Sequence, residues 1–128
     1  MNDSKNPLSP HLQIYRWHIS SLLSITHRIS GDINLLAVIL IFFWLIALSF
    51  GESNYESFLL IINSFFGKFI LIGFTWSMTF HVLGGIRHLV WDFGYGFEIK
   101  TANISGIIVI ISSLVLTILF WLFARGFI

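Results

Sequence analysis

The sequence TFHVLGGIRHLVWD, residues Thr79 to Asp92, ends an apolar segment and carries polar groups in a helical pattern. Residues i, i+3, i+4 and i+7 share one face of an α-helix. His81, Gly84, Gly85 and His88 have this spacing, so we expect two imidazoles on one stripe with a gap free of side chains between them. A flat, bulky ligand could lie against this gap, although small residues also let membrane helices pack closely.

The composition of the 128-residue chain is that of a membrane protein, with 56% hydrophobic and only 10% charged residues. A soluble domain would carry about 25% charged residues. The net charge of +1 disfavours nucleic acid as a partner. The chain has no cysteine, which excludes disulfides, thiolate zinc sites, covalently attached c-type haem and an iron–sulfur cluster held by this chain alone. Any redox centre must therefore be held by histidine, methionine or non-covalent packing.

Three apolar segments predict an all-α integral membrane protein with three transmembrane helices, at residues 33–50, 69–86 and 104–124. The first segment belongs to a longer proline-free helix over residues 20–50. At 1.5 Å per residue this helix would be about 45 Å long, against a hydrocarbon core of about 30 Å, so its first turns should lie in the interface or tilt. We expect residues 1–19 to form a polar, interfacial arm and residues 20–128 to form a single membrane domain.

The connections between the spans are predicted from their polarity. Residues 51–57 (GESNYES) indicate a polar turn, and the short apolar run 58–66 indicates an interfacial lead-in to the second span. Residues 92–103 indicate a loop, because they contain Gly94, Gly96 and the charged residues Glu98 and Lys100.

Lysine and arginine are distributed unequally between the two sides of this three-span layout, and cytoplasmic loops are enriched in both residues. Five lie with the N-terminal region and the second loop, and two lie on the other side. The five are Lys5, Arg16, Arg28, Arg87 and Lys100, and the two are Lys68 and Arg125. We therefore expect the N-terminus inside and the C-terminus outside. Since no secretory signal or transit peptide is recognisable, we expect a multi-pass protein of a bacterial inner membrane, or of the mitochondrial inner membrane if organelle-encoded.

With this orientation, two polar clusters fall in the inner half of the membrane. His81 lies inside the second span, where ionisable side chains are costly and function is the default interpretation. It is either a ligand of haem or another metal, or a neutral histidine that is hydrogen-bonded to a neighbouring helix. Arg87, His88 and Asp92 either hold haem propionates or anchor the end of the span by reaching towards water.

The second cluster lies in the first helix, where Ser24, His27, Arg28 and Gly31 also have the spacing i, i+3, i+4 and i+7. These residues fit either a solvated helix start or a site for a quinone head group. The Ser24 hydroxyl can donate to a quinone carbonyl, and the Arg28 guanidinium can stabilise the anion formed on one-electron reduction. His27 could relay protons.

His81 and His88 point the same way from one helix and cannot be the two axial ligands of one haem. The second ligand would come from His27 or from another chain. We favour another chain, because three helices with this much exposed apolar surface are incomplete alone.

The motifs together resemble the cytochrome b membrane-anchor subunit of succinate dehydrogenase, the larger of its two anchors. They are SPHLQIY at residues 9–15, SITHRISG at residues 24–31 and HVLGGIRHLVWD at residues 81–92. Their order, their spacing and the three-span layout match over nearly the whole chain.

The resemblance implies a subunit of succinate:ubiquinone oxidoreductase (complex II) that does not bind succinate and is not active alone. It would anchor a flavoprotein and an iron–sulfur subunit to the bilayer beside a second membrane anchor, and would pass electrons to ubiquinone. His81 would be an axial ligand of haem b, with the other ligand from the second anchor. Ser24 and Arg28 would belong to the quinone site, and His27, Arg28 and His88 would lie near the haem propionates.

Three alternatives stay open. The chain could be a haem-free structural subunit for membrane assembly, or the anchor of a fumarate-reducing complex, since reaction direction depends on partners and quinone potential. It could also conduct protons or ions through a relay of His27, His81 and His88, although the near-absence of carboxylates within the spans disfavours this.

Overall fold

Residues 17–126 of the chain are described by a computed structural model. They form four α-helices: α1 (Ile19–Ser49), α2 (Glu52–Asn63), α3 (Phe65–Asp92) and α4 (Ile99–Gly126). No β-strand occurs in this range. Residues 1–16 of the predicted arm lie outside it, together with the motif at residues 9–15 and the basic residues Lys5 and Arg16.

Three of the helices are long and apolar enough to cross a membrane, namely α1, α3 and residues Ile99–Ala124 of α4. The predicted all-α architecture with three such helices is confirmed. Each helix extends beyond the apolar segment that predicted it. The 31 residues of α1 would measure about 46 Å at 1.5 Å per residue, more than a hydrocarbon core of about 30 Å.

A separate helix replaces the predicted turn and lead-in between the first two spans. Helix α2 follows Gly51, whose φ of 96° lies in the left-handed region that favours glycine. Its first turn carries Glu52, which complements the positive end of the helix dipole. Helix α3 starts immediately after α2, where the Ser64 hydroxyl accepts a hydrogen bond of 3.1 Å from the Gly67 amide.

Helix α3 is the central element, since it packs against α1, α2 and α4. Leu23, Phe80 and Val109 form the buried apolar cluster where α1, α3 and α4 meet, and Phe80 is only 2% exposed. Gly106 permits close approach of α1 and α4, because a Cβ atom at this position would overlap the Leu23 side chain.

A buried polar seam joins α3 to α4. The Trp76 indole donates to the Ser113 hydroxyl at 3.2 Å, and Thr79 Oγ1 lies 3.1 Å from Thr117 Oγ1. The Trp121 indole donates to the Thr75 hydroxyl at 3.3 Å. These bonds occupy polar side chains that interrupt the second apolar segment, as a bilayer interior requires. The seam therefore fixes how α4 packs on α3.

The loop between α3 and α4 is shorter than predicted, because α3 includes Asp92 and α4 begins at Ile99. Gly94 and Gly96 have φ values of 87° and 81°. The starts of α1 and α4 and the end of α3 lie at the same end of the bundle, where Leu23 contacts Gly106 and the histidines of α1 and α3 meet.

Candidate functional site

Three histidines form a cluster between α1 and α3. The rings of His27 and His81 are stacked, with centroids 4.1 Å apart and planes inclined by 12°. The His88 ring meets His27 edge-on at 5.1 Å. These contacts bring together histidines from the two polar clusters that the sequence places in the same half of the membrane.

The two stacked histidines bond to each other's backbone. His27 Nε2 lies 3.1 Å from the His81 carbonyl oxygen, and His81 Nδ1 lies 3.2 Å from the His27 carbonyl oxygen. A carbonyl oxygen can only accept, so the facing ring nitrogen of each histidine is the donor. The neutral ring of His81 therefore carries its proton on Nδ1 and its free lone pair on Nε2.

Ser30 completes the surroundings of His81. Its hydroxyl donates to the His27 carbonyl at 2.7 Å and lies 2.9 Å from His81 Nδ1. Sequence reasoning missed this residue. Its position three residues after His27 was visible, but a helical serine ordinarily bonds to a carbonyl of its own helix, and the sequence cannot show that His81 lies beside it.

Two glycines make room for the stacked rings. A Cβ atom at Gly31 would lie 3.3 Å from His81 Cε1, and a Cβ atom at Gly84 would overlap the His27 ring. At Gly84 the structure agrees with the alternative of close helix packing, because His27 fills that space, and binding of a flat ligand along the stripe stays a prediction. A Cβ atom at Gly85 would meet none of the neighbouring helices within 4 Å among the described residues, so the part of the gap at Gly85 is open.

Arg87 points away from the histidines and into the contact with α4. It is only 9% exposed. Its Nε donates to the Ser105 hydroxyl at 2.9 Å, and its Nη2 donates to the Ala102 carbonyl at 2.8 Å. The guanidinium carbon lies 4.0 Å from the centroid of the Trp91 ring. The interpretation of Arg87 as a side chain that reaches towards water is therefore wrong, because its planar guanidinium bonds to α4 at its edge and stacks on Trp91 with its face. Its interpretation as a propionate ligand stays a prediction.

His88 is linked to Arg87 through Trp91, since the His88 ring meets the Trp91 ring edge-on at 5.2 Å. Trp91 in turn donates from its indole to the Gly96 carbonyl at 3.2 Å. Asp92, at the end of α3, is exposed.

Ser24 and Arg28 lie one turn apart on α1. Ser24 is half-buried and Arg28 is exposed. Within the described part of the chain, neither side chain is engaged in a hydrogen bond or ion pair. Both polar groups are therefore available for a ligand or another subunit, but the structure does not bring them into contact with His81.

No group of three or more histidine, aspartate or glutamate side chains within the described range is arranged to hold a metal ion. The three histidines share ring contacts without pointing their nitrogens at a common point. His81, whose Nδ1 is held by α1, offers the lone pair of its Nε2 as a donor to a ligand.

The three apolar helices and the histidine cluster define the class of the protein, which is a multi-pass membrane protein with a candidate cofactor site between two helices. Residues 2–120 match the model of the family described as "Succinate dehydrogenase/Fumarate reductase transmembrane subunit". The chain belongs to this family, which confirms the resemblance inferred from its motifs. It is thus a membrane subunit of an enzyme complex.

Individual relatives agree with the family. The chain is 45% identical over 118 residues to the succinate dehydrogenase cytochrome b556 subunit of Rickettsia prowazekii (strain Madrid E), covering 92% of each chain. It is 38% identical over 119 residues to the cytochrome b556 subunit of Paracoccus denitrificans, covering 93% of this chain and 92% of the relative. It is 37% identical over 127 residues to the mitochondrial succinate dehydrogenase cytochrome b560 subunit of Mus musculus, covering 84% of this chain and 65% of the relative. The relatives therefore include bacterial and mitochondrial membrane proteins.

Replacing Gly84 by alanine should displace the His27 ring, because the added methyl group would overlap it. Overpacking of this kind costs about 1–3 kcal/mol, so we expect a lower Tm for the complex in mild detergent. Gly73→Ala is the matched control on the same helix, since a Cβ atom there would meet no other helix within 4 Å in the described range. Equal Tm values for the two variants would contradict the packing of His27 on Gly84.

Proposed function

We propose that the chain is the haem b-binding membrane anchor of a succinate:ubiquinone oxidoreductase and forms part of its quinone-reduction site. The observation that carries this proposal is the state of His81. Its Nδ1 is tied to α1, and its Nε2 makes no hydrogen bond within the described residues. Nε2 is also absent from the fully buried polar atoms that lack a partner, which leaves it open to a ligand.

His81 fits the requirements of a haem ligand. Histidines that bind metals usually donate their other ring N–H to a carbonyl, carboxylate or water, which fixes the tautomer and the ring orientation. His81 has this arrangement within the chain itself. Since a haem iron is held by axial ligands and its own macrocycle, one nitrogen from this chain is a sufficient contribution.

The second axial ligand would come from the other membrane anchor. His27 cannot supply it, because its ring is stacked parallel to His81 and its Nε2 bonds to the His81 carbonyl. Two rings stacked in this way cannot point their nitrogens at each other across an iron. Exposed apolar side chains on α1, such as Phe42 and Phe43, offer a surface for the second anchor.

Haem b supplies a one-electron carrier when it is bound. In this proposal, His27, Arg28 and His88 lie near its propionates. His27 and His88 are in edge contact on the side of the cluster that faces the end of α3, and Arg28 presents an exposed cation one residue after His27. A cationic rim of this kind suits carboxylates.

Ser24 and Arg28 would bind the quinone head group. The Ser24 hydroxyl would donate to a quinone carbonyl, and the Arg28 guanidinium would stabilise the negative charge that develops on reduction. The cavity of about 490 Å³ at this end of the bundle is lined by residues such as His18, Trp91 and Phe97, without Ser24 or Arg28. Residues of other subunits would therefore complete the quinone site.

The remaining subunits would bind at this same end of the bundle. The iron–sulfur subunit would deliver electrons from the flavoprotein, which oxidises succinate, to a quinone beside Ser24. The N-terminus would then lie inside and the C-terminus outside, in a bacterial or mitochondrial inner membrane. The chain itself would anchor the enzyme and place the quinone, with no contact to succinate.

The alternatives are weaker on specific grounds. A relay through the three histidines is disfavoured, because the donating nitrogens of His27 and His81 bond to backbone carbonyls and not to each other. The family description includes fumarate reductases, whereas the relatives named above are succinate dehydrogenase subunits. The absorbance spectrum of the purified complex distinguishes a haem-free anchor from our proposal.

We expect the purified complex to show a sharp α-band of haem b in the dithionite-reduced minus oxidised absorbance spectrum. His81→Ala should remove this band, because it removes the imidazole nitrogen that would bind the haem iron in our proposal. His18→Ala is the control, since His18 is exposed just before α1 begins. A band of full intensity in His81→Ala would contradict the assignment, and a flat spectrum of the intact wild-type complex would leave the haem-free anchor.

Ser24→Ala and Arg28→Lys should each reduce succinate:ubiquinone reductase activity by about tenfold or more. Hydrogen bonds to charged groups contribute about 1.5–3 kcal/mol, and lysine cannot reproduce the planar fork of arginine. Succinate oxidation by an artificial dye acceptor should be unchanged. Thr26→Ala is the control, because the Thr26 hydroxyl donates to the Leu22 carbonyl of its own helix. Unchanged quinone kinetics in both variants would exclude this quinone site.

A further inference from the structure

We propose that Ser30 is a positioning residue that selects which nitrogen of His81 binds the haem iron. This inference rests on the proposed haem-binding function and adds a residue to it. Ser30 is only 3% exposed. With the His27 carbonyl, it forms a fixed acceptor pair on α1 that holds the Nδ1–H of His81.

The proton positions follow from the three distances. The Ser30 hydroxyl carries one hydrogen, and its shortest contact is the bond of 2.7 Å to the His27 carbonyl. A lone pair of the same oxygen is then directed at His81 Nδ1, 2.9 Å away. The Nδ1–H is thus shared between Ser30 Oγ and the His27 carbonyl at 3.2 Å. A proton on Nε2 instead would leave Nδ1 facing a carbonyl oxygen with no hydrogen between them.

The rest of the pocket around His81 restrains the ring without selecting a nitrogen. His27 covers one face of the ring, and the Gly31 backbone lies against its Cε1 edge. Among the described residues, Ser30 provides the only hydrogen bond from another side chain to the His81 ring. Selection between Nδ1 and Nε2 therefore depends on Ser30 and on the carbonyl to which it bonds.

The Ser30 backbone also joins α1 to α3, and removal of this second hydrogen bond serves as a control. The buried Ser77 hydroxyl donates to the Ser30 carbonyl at 3.0 Å, one turn before His81 on α3. Ser77→Ala would remove a helix–helix hydrogen bond at the same residue, but would leave the Ser30 hydroxyl and the His81 ring in contact. It separates an effect on helix packing from an effect on the imidazole.

Loss of the Ser30 hydroxyl is expected to change the affinity of the complex for haem and the reduction potential of the haem. Hydrogen bonds to a metal-ligating histidine raise its basicity, and their loss typically costs about 10–100-fold in metal affinity. A less basic ligand stabilises ferric haem less. Ser30→Ala should therefore weaken haem retention and shift the reduction equilibrium severalfold towards the ferrous state, where a tenfold shift is about 59 mV for a one-electron couple.

The test is a redox titration of the haem band in the purified complex, together with the haem content per complex. Ser30→Ala and the nearly isosteric Ser30→Cys, whose sulfur is a weak acceptor, should raise the midpoint potential and lower the haem content. If Ser30→Ala does not assemble, Ser30→Cys alone carries the test. Ser30→Thr, which keeps the hydroxyl, and Ser77→Ala should retain the wild-type potential.

Two results would overturn the inference. One is a wild-type potential and haem content in both Ser30→Ala and Ser30→Cys. The other is an equal shift in Ser77→Ala, which would make Ser30 a packing residue only. Failure of the underlying function is distinguishable, since the wild-type complex would then lack the haem band or His81→Ala would keep it.

Discussion

The reciprocal bonding of His27 and His81 is the constraint on which the candidate site depends. Each imidazole donates to the other residue's backbone carbonyl, and the two rings stack at 4.1 Å. A bilayer interior offers no water to satisfy a polar ring, so a histidine there must find partners within the protein. This pair of reciprocal hydrogen bonds satisfies one nitrogen of each ring and fixes the spacing of α1 and α3. The glycines Gly31 and Gly84 permit it, because side chains there would crowd the rings.

Helix α3 presents two chemically different faces. The face towards α4 is occupied by hydrogen bonds, and the face towards α1 is free for a ligand. Towards α4 it offers Trp76, Thr79 and Arg87, all engaged in hydrogen bonds with α4. Towards α1 it offers His81, whose Nε2 is open. Since Arg87 bonds with α4, the exposed cation beside the histidine cluster is Arg28 on α1. The same division explains how one helix can combine hydrogen-bonded packing on one face with an open histidine nitrogen on another.

The sequence predicted the three spanning helices, because their long apolar segments have no other stable arrangement in a bilayer. It also predicted that the polar clusters of α1 and α3 lie in the same half of the membrane. It did not predict α2, since residues 52–63 change from polar to apolar along their length, which suggested a turn followed by a short apolar run. The roles of Ser30 and Arg87 were missed or misassigned, because each depends on which side chain of another helix lies opposite, and spacing within one helix cannot supply that information.

The most direct test of the central claim is a structure of the complete complex, determined by electron cryo-microscopy at a resolution that shows the ligands of the iron. Our account predicts that Nε2 of His81 binds the haem iron, while Nδ1 stays within hydrogen-bond distance of Ser30 Oγ and the His27 carbonyl. An iron bound by a different residue of this chain, or a His81 ring turned so that Nδ1 faces the ligand, would contradict it.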